Sequence, residues 1–206
     1  MELKVCKGAE QVALETGALV SRLVSGGART IYVPAGRTPE PLYQLWEKDR
    51  PSWLASAKLI QIDDILTGQR RGQFRRFFEE ALPTYKNRIE FIGGDNCTQA
   101  DVALLGLGLN GHVGFHEPGL PASLFMGCVR LSPATCGLLE LEQGTWGISY
   151  GLGAFMKCRA VVMMVTGKSK RGILHQLINN LGEFPALQLK DHNQFTLIAD
   201  QNAMSS

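Results

Sequence analysis

Short apolar runs alternate along this chain with longer amphipathic segments, and this alternation restricts the fold more than any other feature. Residues 10–24 place apolar side chains on one face of a helix that ends at Gly26-Gly27, whereas residues 159–165 form a short and almost wholly apolar run. The predicted strands cover residues 30–33, 58–62, 101–105, 159–165 and 195–199, and the predicted helices cover residues 10–24, 39–49, 71–82 and 169–181. This order predicts an α/β fold with a mainly parallel sheet covered on both faces.

Length and charge limit the class of protein. A chain of 206 residues can form one core, and it shows no repeat, low-complexity stretch or obvious linker, so we expect a single domain over residues 1–206. The net charge is +2 and no long basic run occurs, which argues against a nucleic-acid partner. Uninterrupted apolar runs stay shorter than the roughly 18 residues of a membrane span, and residues 1–7 lack the apolar core of a secretory signal.

The cysteine pattern bears on the cellular compartment. Five cysteines occur without a Cys-x-x-Cys pair, namely Cys6, Cys97, Cys128, Cys136 and Cys158. An odd count with this spacing argues against a disulfide framework and against a zinc site. A reducing compartment is the simpler expectation, and we predict a cytoplasmic protein.

Two loops that follow predicted strands have the composition of phosphate sites. Parallel sheets bind ligands at the carboxyl ends of their strands. In the loop 34–39, Gly36 lets the backbone approach a ligand, and the helix that follows offers free N–H groups to an anion. The loop 165–171 combines a hydroxyl and several cations, among them Lys170, with a helix start. Each loop, taken alone, is also compatible with an ordinary turn.

A pair of carboxylates, Asp63-Asp64, closes the apolar run 58–62. Adjacent side chains in an extended segment point to opposite faces, so one carboxylate can face a cleft while the other caps a helix or meets solvent. A carboxylate at the end of a strand is a candidate general base. A helix cap or a surface turn remains the alternative.

The segment from Gly106 to Gly119 is the richest in chemistry. Five glycines in fourteen residues allow a tightly folded loop, which also carries Asn110, His112 and Glu117. A histidine near a carboxylate can transfer protons near neutral pH. His116 follows His112 by four residues, a spacing that suits metal ligands on a helix, but the glycines disfavour a helix and no third ligand is evident. We expect proton transfer and no metal, with a structural turn as the alternative.

Several motifs, in order, resemble the glucosamine-6-phosphate deaminase and 6-phosphogluconolactonase family. The deaminases show Gly-x-Gly-x-Asp-Gly-His-x-x-Phe-Asn-Glu-Pro, and residues 106–118 read Gly-Leu-Gly-Leu-Asn-Gly-His-Val-Gly-Phe-His-Glu-Pro. Their Pro-Thr-Gly-Gly-Thr-Pro loop is similar to residues 34–39, and their Asp-Glu pair is similar to Asp63-Asp64. Their Thr-x-Gly and Gly-x-x-Lys segments resemble residues 145–147 and 167–170.

The resemblance implies a three-layer α/β/α sandwich of the kind shared with ribose-5-phosphate isomerase and coenzyme A transferases. It also implies a reaction without cofactor or metal, on a small-molecule sugar phosphate, in a protein that can form a homo-oligomer. By motif position, Asp63 would remove the C2 proton of an amino sugar phosphate, and His112, paired with Glu117, would open the ring. Lys170 and the loop of Gly36, Arg37 and Thr38 would bind the phosphate.

Two positions depart from the deaminase pattern. Asn110 replaces an aspartate; its amide could orient His112 by a hydrogen bond but carries no charge to stabilise an imidazolium. The substrate could therefore be galactosamine 6-phosphate or another phosphosugar. Arg37 replaces a glycine, and because no counterpart of the family's phosphate-binding arginine is evident between residues 128 and 144, we hypothesise that Arg37 takes its place.

Two other functions compete with deamination. A 6-phosphogluconolactonase shares the fold, but lactonases continue the Gly-His loop as Thr-Ala-Ser-Leu-Phe, whereas this chain has the deaminase glutamate at Glu117. A non-catalytic sugar-phosphate sensor would keep the phosphate loops and lose the chemistry. Asn110 favours that alternative, and the presence of Asp63, His112 and Glu117 argues against it.

Overall fold

The computed structural model describes residues 1–93 and 97–204 of the chain. Its strands are β1 (Glu2–Cys6), β2 (Thr30–Val33), β3 (Lys58–Gln61), β4 (Asp63–Ile65), β5 (Ile89–Glu90), β6 (Val102–Gly106), β7 (Met126–Arg130), β8 (Trp146–Tyr150), β9 (Ala160–Val165) and β10 (Phe195–Asp200). Its α-helices are α1 (Ala9–Ser25), α2 (Glu40–Asp49), α3 (Gln73–Ala81), α4 (Pro133–Leu138), α5 (Leu152–Phe155), α6 (Arg171–Asn179), α7 (Pro185–Gln188) and α8 (Gln201–Met204).

Seven strands form one parallel sheet in the order β1-β10-β9-β6-β2-β3-β5. Successive residues of β2 enter different cores, because Ile31 and Val33 pack with α1 and α2 while Tyr32 packs on the other face. Both faces of this strand are therefore shielded from water, which explains its unbroken apolar run. The predicted α/β fold with a mainly parallel sheet is confirmed.

A second, antiparallel sheet joins the end of β3. Its order is β4-β8-β7, with Asp63 opposite Ser149 in the register. Only Ile62 separates β3 from β4, and its carbonyl accepts the backbone N–H of Tyr150 at 2.9 Å. The chain therefore passes directly from the parallel sheet into the antiparallel one, and it carries Asp63 across the junction.

The predicted strands and helices are all present, with boundaries that differ by at most two residues. The helix predicted at 39–49 begins at Glu40, and Pro39 lies at the cap position. The helix predicted at 169–181 starts as a 3₁₀ turn, Lys168–Lys170, and continues as α6 to Asn179. None of the helices within 1–93 and 97–204 is long and apolar enough to cross a membrane.

Candidate active site

Four loops meet at one edge of the parallel sheet. Strands β9, β6, β2 and β3 are consecutive neighbours and run in the same direction, so the loops that follow them emerge side by side. Two of them are the predicted phosphate loops. The other two carry the Asp63-Asp64 pair and the Gly106–Gly119 segment. The fold thus places every predicted site residue at the edge where parallel sheets bind ligands.

The loop after β6 is folded so tightly that its glycines are required. Gly108 donates its N–H to the carbonyl of His112 at 2.9 Å, and a Cβ at Gly108 would lie only 2.4 Å from the His112 ring. Gly111 and Gly114 both have positive φ, at 82° and 57°, a region that side chains disfavour. The imidazole is therefore packed directly against the backbone of its own loop.

Asn110 links the backbone of His112 to the carboxylate of Glu117. Its Oδ1 accepts the backbone N–H of His112 at 3.2 Å, and its Nδ2 donates to Glu117 Oε2 at 2.9 Å. The predicted hydrogen bond between Asn110 and His112 is present, but a short turn brings the amide onto the main chain of residue 112 rather than onto the imidazole. Asn110 orients the loop and the carboxylate, and only through them the histidine.

The imidazole of His112 faces Glu117 without a hydrogen bond to it. Nδ1 of His112 lies 3.8 Å from Glu117 Oε2, and it is buried and has no hydrogen-bond partner within the described part of the chain. Burial lowers the pKa of His112, while the Glu117 carboxylate raises it and the Lys170 ammonium lowers it further. The net direction is downward, which favours a neutral imidazole that can accept a proton.

The carboxylate of Glu117 is fixed from its other side by two residues that sequence reasoning missed. Oε1 of Glu117 accepts from the hydroxyls of Ser132, at 3.0 Å, and Thr135, at 2.5 Å, and from the backbone N–H of Ser132, at 3.3 Å. Burial raises the pKa of Glu117, but these hydrogen bonds and Asn110 outweigh it and lower the pKa. A Ser-Pro-x-Thr helix start was the available signal, but nothing in the sequence connects it with Glu117.

Asp63 is buried beside the same loop. Its side chain keeps little exposure, at 6%, and a Cβ added to Gly114 would lie 3.5 Å from Asp63 Oδ2. Burial, together with the neighbouring charge of Asp64, raises the pKa of Asp63 to about 8. A carboxyl group with such a pKa is suited to accept a proton near neutral pH.

Asp64 has a different role from its neighbour, as an extended pair predicts. Its Oδ1 accepts the N–H of Phe74 at 3.0 Å, and its Oδ2 accepts the N–H of Arg75 at 3.1 Å. Both donors belong to the first turn of α3, so Asp64 caps that helix from a distance along the chain. The prediction of one carboxylate towards the site and one cap agrees with this geometry.

In the sheet order the two predicted phosphate loops lie on either side of the His112 loop, and Asp63 lies beyond the loop that follows β2. In the loop after β2, Gly36 has a φ of 110°, Arg37 is exposed, and Thr38 is half-buried. Tyr43 fixes the start of this loop, because its buried hydroxyl donates to the carbonyl of Pro34 at 2.6 Å. The Arg37 guanidinium therefore projects from an anchored backbone.

Lys170 connects the loop after β9 to the loop that carries His112. Its Nζ donates to the carbonyl of Leu107 at 2.6 Å, and burial lowers its pKa. An ammonium has three donors, so this bond leaves two for a ligand. At the start of the same loop, Asp200 accepts the N–H of Gly167 at 3.0 Å, which holds the turn at the end of the strand.

His116 is separate from His112. It is buried, and its Nδ1 accepts the backbone N–H of Leu152 at 3.2 Å at the start of α5. Within residues 1–93 and 97–204, no group of three or more His, Cys, Asp or Glu side chains could hold a metal ion. His116 serves to fix the loop on α5.

The chain is similar to known proteins of one family. A family model described as glucosamine-6-phosphate isomerases/6-phosphogluconolactonase matches residues 57–198. The glucosamine-6-phosphate deaminase of Lactococcus lactis subsp. cremoris (strain SK11) is 28% identical over 215 residues, which cover 91% of each chain.

Solved structures share the fold. A monomeric glucosamine-6-phosphate deaminase superposes with a TM-score of 0.85 at 19% identity, covering 100% of this chain and 99% of that one. The 6-phosphogluconolactonase from Trypanosoma cruzi superposes with a TM-score of 0.78 at 17% identity, covering 100% and 97%. Identities this low speak for the architecture alone.

Proposed function

Because the chain belongs to the family of glucosamine-6-phosphate isomerases and 6-phosphogluconolactonases, we propose that it is an amino sugar-6-phosphate isomerase/deaminase. Its substrate is glucosamine 6-phosphate or galactosamine 6-phosphate, and its products are a ketose 6-phosphate and ammonia. One observation carries this proposal: a buried Asp63 with a raised pKa lies beside the loop in which His112 faces Glu117. The similarity to the glucosamine-6-phosphate deaminase of Lactococcus lactis supports glucosamine 6-phosphate as the substrate.

Asp63 is the base of the proposed reaction. A proton next to a carbonyl carbon is weakly acidic, so a fixed carboxylate is needed to remove it from C2. The pKa of about 8 makes Asp63 a stronger base than an exposed aspartate once it is ionised. The proton is then delivered to C1, which leaves an imine at C2, and water hydrolyses this imine to the ketone and ammonia.

His112 opens the sugar ring in this scheme. A neutral imidazole, favoured by the lowered pKa, takes the proton of the anomeric hydroxyl and returns it to the ring oxygen. The imidazolium formed in between lies 3.8 Å from Glu117 Oε2, and the ionised Glu117 stabilises it. Asn110 keeps both partners in place through its two hydrogen bonds.

The phosphate is bound by Lys170 and by the loop of Gly36, Arg37 and Thr38. Lys170 retains two donors after its bond to Leu107, and Gly36 leaves the backbone open to an anion. The phosphate takes no part in bond changes, but its binding aligns C1 and C2 with the catalytic groups. The residues named supply the proton transfers at C2 and in ring opening, and we propose no cofactor and no metal.

Arg37 provides a separate test of this phosphate site. If its guanidinium contacts the phosphate, Arg37→Ala raises the Michaelis constant for the phosphosugar by roughly 10-fold or more, since a charge-assisted hydrogen bond is lost. Arg50→Ala, at an exposed helix end, is the matched control. An unchanged Michaelis constant in Arg37→Ala contradicts this role.

A coupled ammonia assay with the 6-phosphates of glucosamine, galactosamine and mannosamine tests the function. We expect ammonia from glucosamine or galactosamine 6-phosphate. Hydrolysis of 6-phosphogluconolactone without ammonia release would point to the lactonase instead. Calorimetric binding of a phosphosugar without turnover of any candidate would point to a sensor.

We also propose a cellular compartment, a domain organisation and an oligomeric state for the enzyme. All five cysteines are free, which supports a reducing compartment and therefore the cytoplasm. We further propose that residues 1–206 act as one domain and that a homo-oligomer can form. Sedimentation of the purified protein tests the last point.

A further inference from the structure

Glu117 is anchored asymmetrically. Its Oε1 accepts from Ser132 Oγ, Ser132 N and Thr135 Oγ1, whereas its Oε2 accepts only from Asn110 Nδ2 among the described residues. Oε1 is thereby occupied at the start of α4, and Oε2 is the oxygen directed at His112 Nδ1. The carboxylate group cannot rotate without breaking these hydrogen bonds.

The hydroxyl of Thr135 contacts members of this set, because besides its bond to Glu117 it accepts from the hydroxyl of Ser132 at 3.1 Å. The residue is buried, at 2% exposure, and its Oγ1 makes the closest of the three contacts with Oε1. Ser132, in contrast, is also the cap of α4, since its Oγ accepts the N–H of Thr135 at 3.2 Å. Thr135 therefore allows the carboxylate contact to be removed while the cap remains.

We propose that Thr135 and Ser132 are positioning residues of the reaction, which lock one oxygen of Glu117 so that the other meets His112 during ring opening. This inference rests on the proposed function, because it assigns a use to the pairing of Glu117 with His112. Neither residue touches the sugar in this scheme, and each acts through Glu117.

The electrostatics around Glu117 agree with this assignment. The ionisable group that faces Glu117 is His112, and Lys170 faces His112 in turn. Hydroxyl donors favour the charged carboxylate, and the pKa of Glu117 is lowered despite burial. An ionised Glu117 is the form that can stabilise an imidazolium at position 112.

The test compares Thr135→Val with Thr135→Ser. Valine keeps the shape and removes the hydroxyl, so we expect kcat for ammonia release from the hexosamine phosphate to fall by roughly 10-fold, with KM unchanged because the phosphate site is intact. The pKa of Glu117, followed by ¹³C NMR of its labelled carboxyl carbon without substrate, should rise. Thr135→Ser restores the donor and should recover both values.

Thr16→Val is the matched control, because Thr16 in α1 is also buried and its hydroxyl has no hydrogen-bond partner in the described chain. This variant should change neither kcat nor the Glu117 titration. Should Thr135→Val fold poorly, Thr135→Ala also removes the hydroxyl, and a Glu117 pKa in that variant equal to the wild-type value would overturn the inference.

The results that overturn this inference differ from those that overturn the proposed function. An active wild type with equal kcat and an equal Glu117 pKa in Thr135→Val overturns the positioning role. A wild type that releases no ammonia from any hexosamine phosphate overturns the proposed function and, with it, the catalytic use of Thr135. In that case a shifted Glu117 titration would still establish the contact but not a role in the reaction.

Discussion

At the scale of single residues, the distinctive feature of the site is the neutral Asn110. Its amide donates to Glu117 Oε2 at 2.9 Å, while His112 Nδ1 remains 3.8 Å from the same oxygen. The amide thus occupies the oxygen that the imidazole would use. In the resting protein His112 is left neutral, with its Nδ1 unpaired among the described residues.

Introducing at position 110 the aspartate of the deaminase pattern tests this competition. Asn110→Asp places a second carboxylate beside Glu117, so we expect the pKa of His112 to rise, because a nearby negative charge favours the imidazolium. The ¹⁵N shifts of the imidazole, followed against pH, measure it. The same substitution at the exposed Asn179 should leave the His112 titration where it is. A titration of His112 that Asn110→Asp does not move would refute the competition.

At the scale of elements, the site depends on how α3 and the antiparallel sheet are attached to the strand ends. Asp64 binds two N–H groups of the first turn of α3, and Asp63 pairs with Ser149 of β8. Ser149 in turn accepts the N–H of Phe115 at 3.0 Å, which ties the His112 loop to the strand opposite Asp63. The position of Asp63 relative to the His112 loop is therefore set by secondary-structure elements rather than by loop flexibility.

Removing the cap of α3 should destabilise the protein. Asp64→Ala leaves the N–H groups of Phe74 and Arg75 without their acceptor, and we expect a loss of about 1–2 kcal/mol in the free energy of unfolding. Glu79→Ala is the control, because it removes only an exposed ion pair with Arg75 in the same helix, which contributes about 0.5 kcal/mol. Urea unfolding measures both. Equal losses in the two variants would show that Asp64 is no cap.

The same elements show which parts of the structure the sequence predicts. Strands such as β2 and β9 are apolar throughout because both faces are buried, and they were predicted within a residue or two. Strand β1 was missed because residues Glu2 to Val5 are exposed at the sheet edge, and β7 and β8 because they are buried on only part of their surface. A continuous apolar run indicates a strand only where both of its faces are buried, and β1, β7 and β8 lack such a run.

The candidate site divides in a similar way. Asp63, His112 and Glu117 were predicted because each belongs to a short motif at a strand end, and the four loops follow from strand order. Thr135 lies 18 residues beyond Glu117, and only the folded chain brings the two together. Residues that act through another side chain leave no local motif.

At the scale of the whole molecule, the proposed base reduces stability. The pKa of Asp63 is about 8 in the folded chain, above the value of about 3.9 for an unfolded aspartate. Between these values the folded state binds the proton more tightly, so the stability from this group is complete at low pH and is lost as pH rises to about 8. Function at neutral pH therefore opposes stability at this position.

Asp63→Asn should consequently stabilise the protein in alkaline solution. The amide stays neutral, so the variant lacks the fall in free energy of unfolding that Asp63 causes, which has a slope of at most about 1.4 kcal/mol per pH unit. Unfolding by urea at pH 5 and at pH 9 measures it. We expect the variant to gain on wild type at pH 9 relative to pH 5. An equal difference at the two pH values would contradict the raised pKa.

The most direct test of the proposed chemistry is the release of ammonia from hexosamine 6-phosphates by the wild-type protein and by Asp63→Asn, measured at pH 8 on samples whose folding has been verified. The account predicts release by wild type and a loss of at least about 100-fold in the variant, because a general base is worth that much or more. Ammonia release by Asp63→Asn at the wild-type rate, or none by wild type, would contradict it.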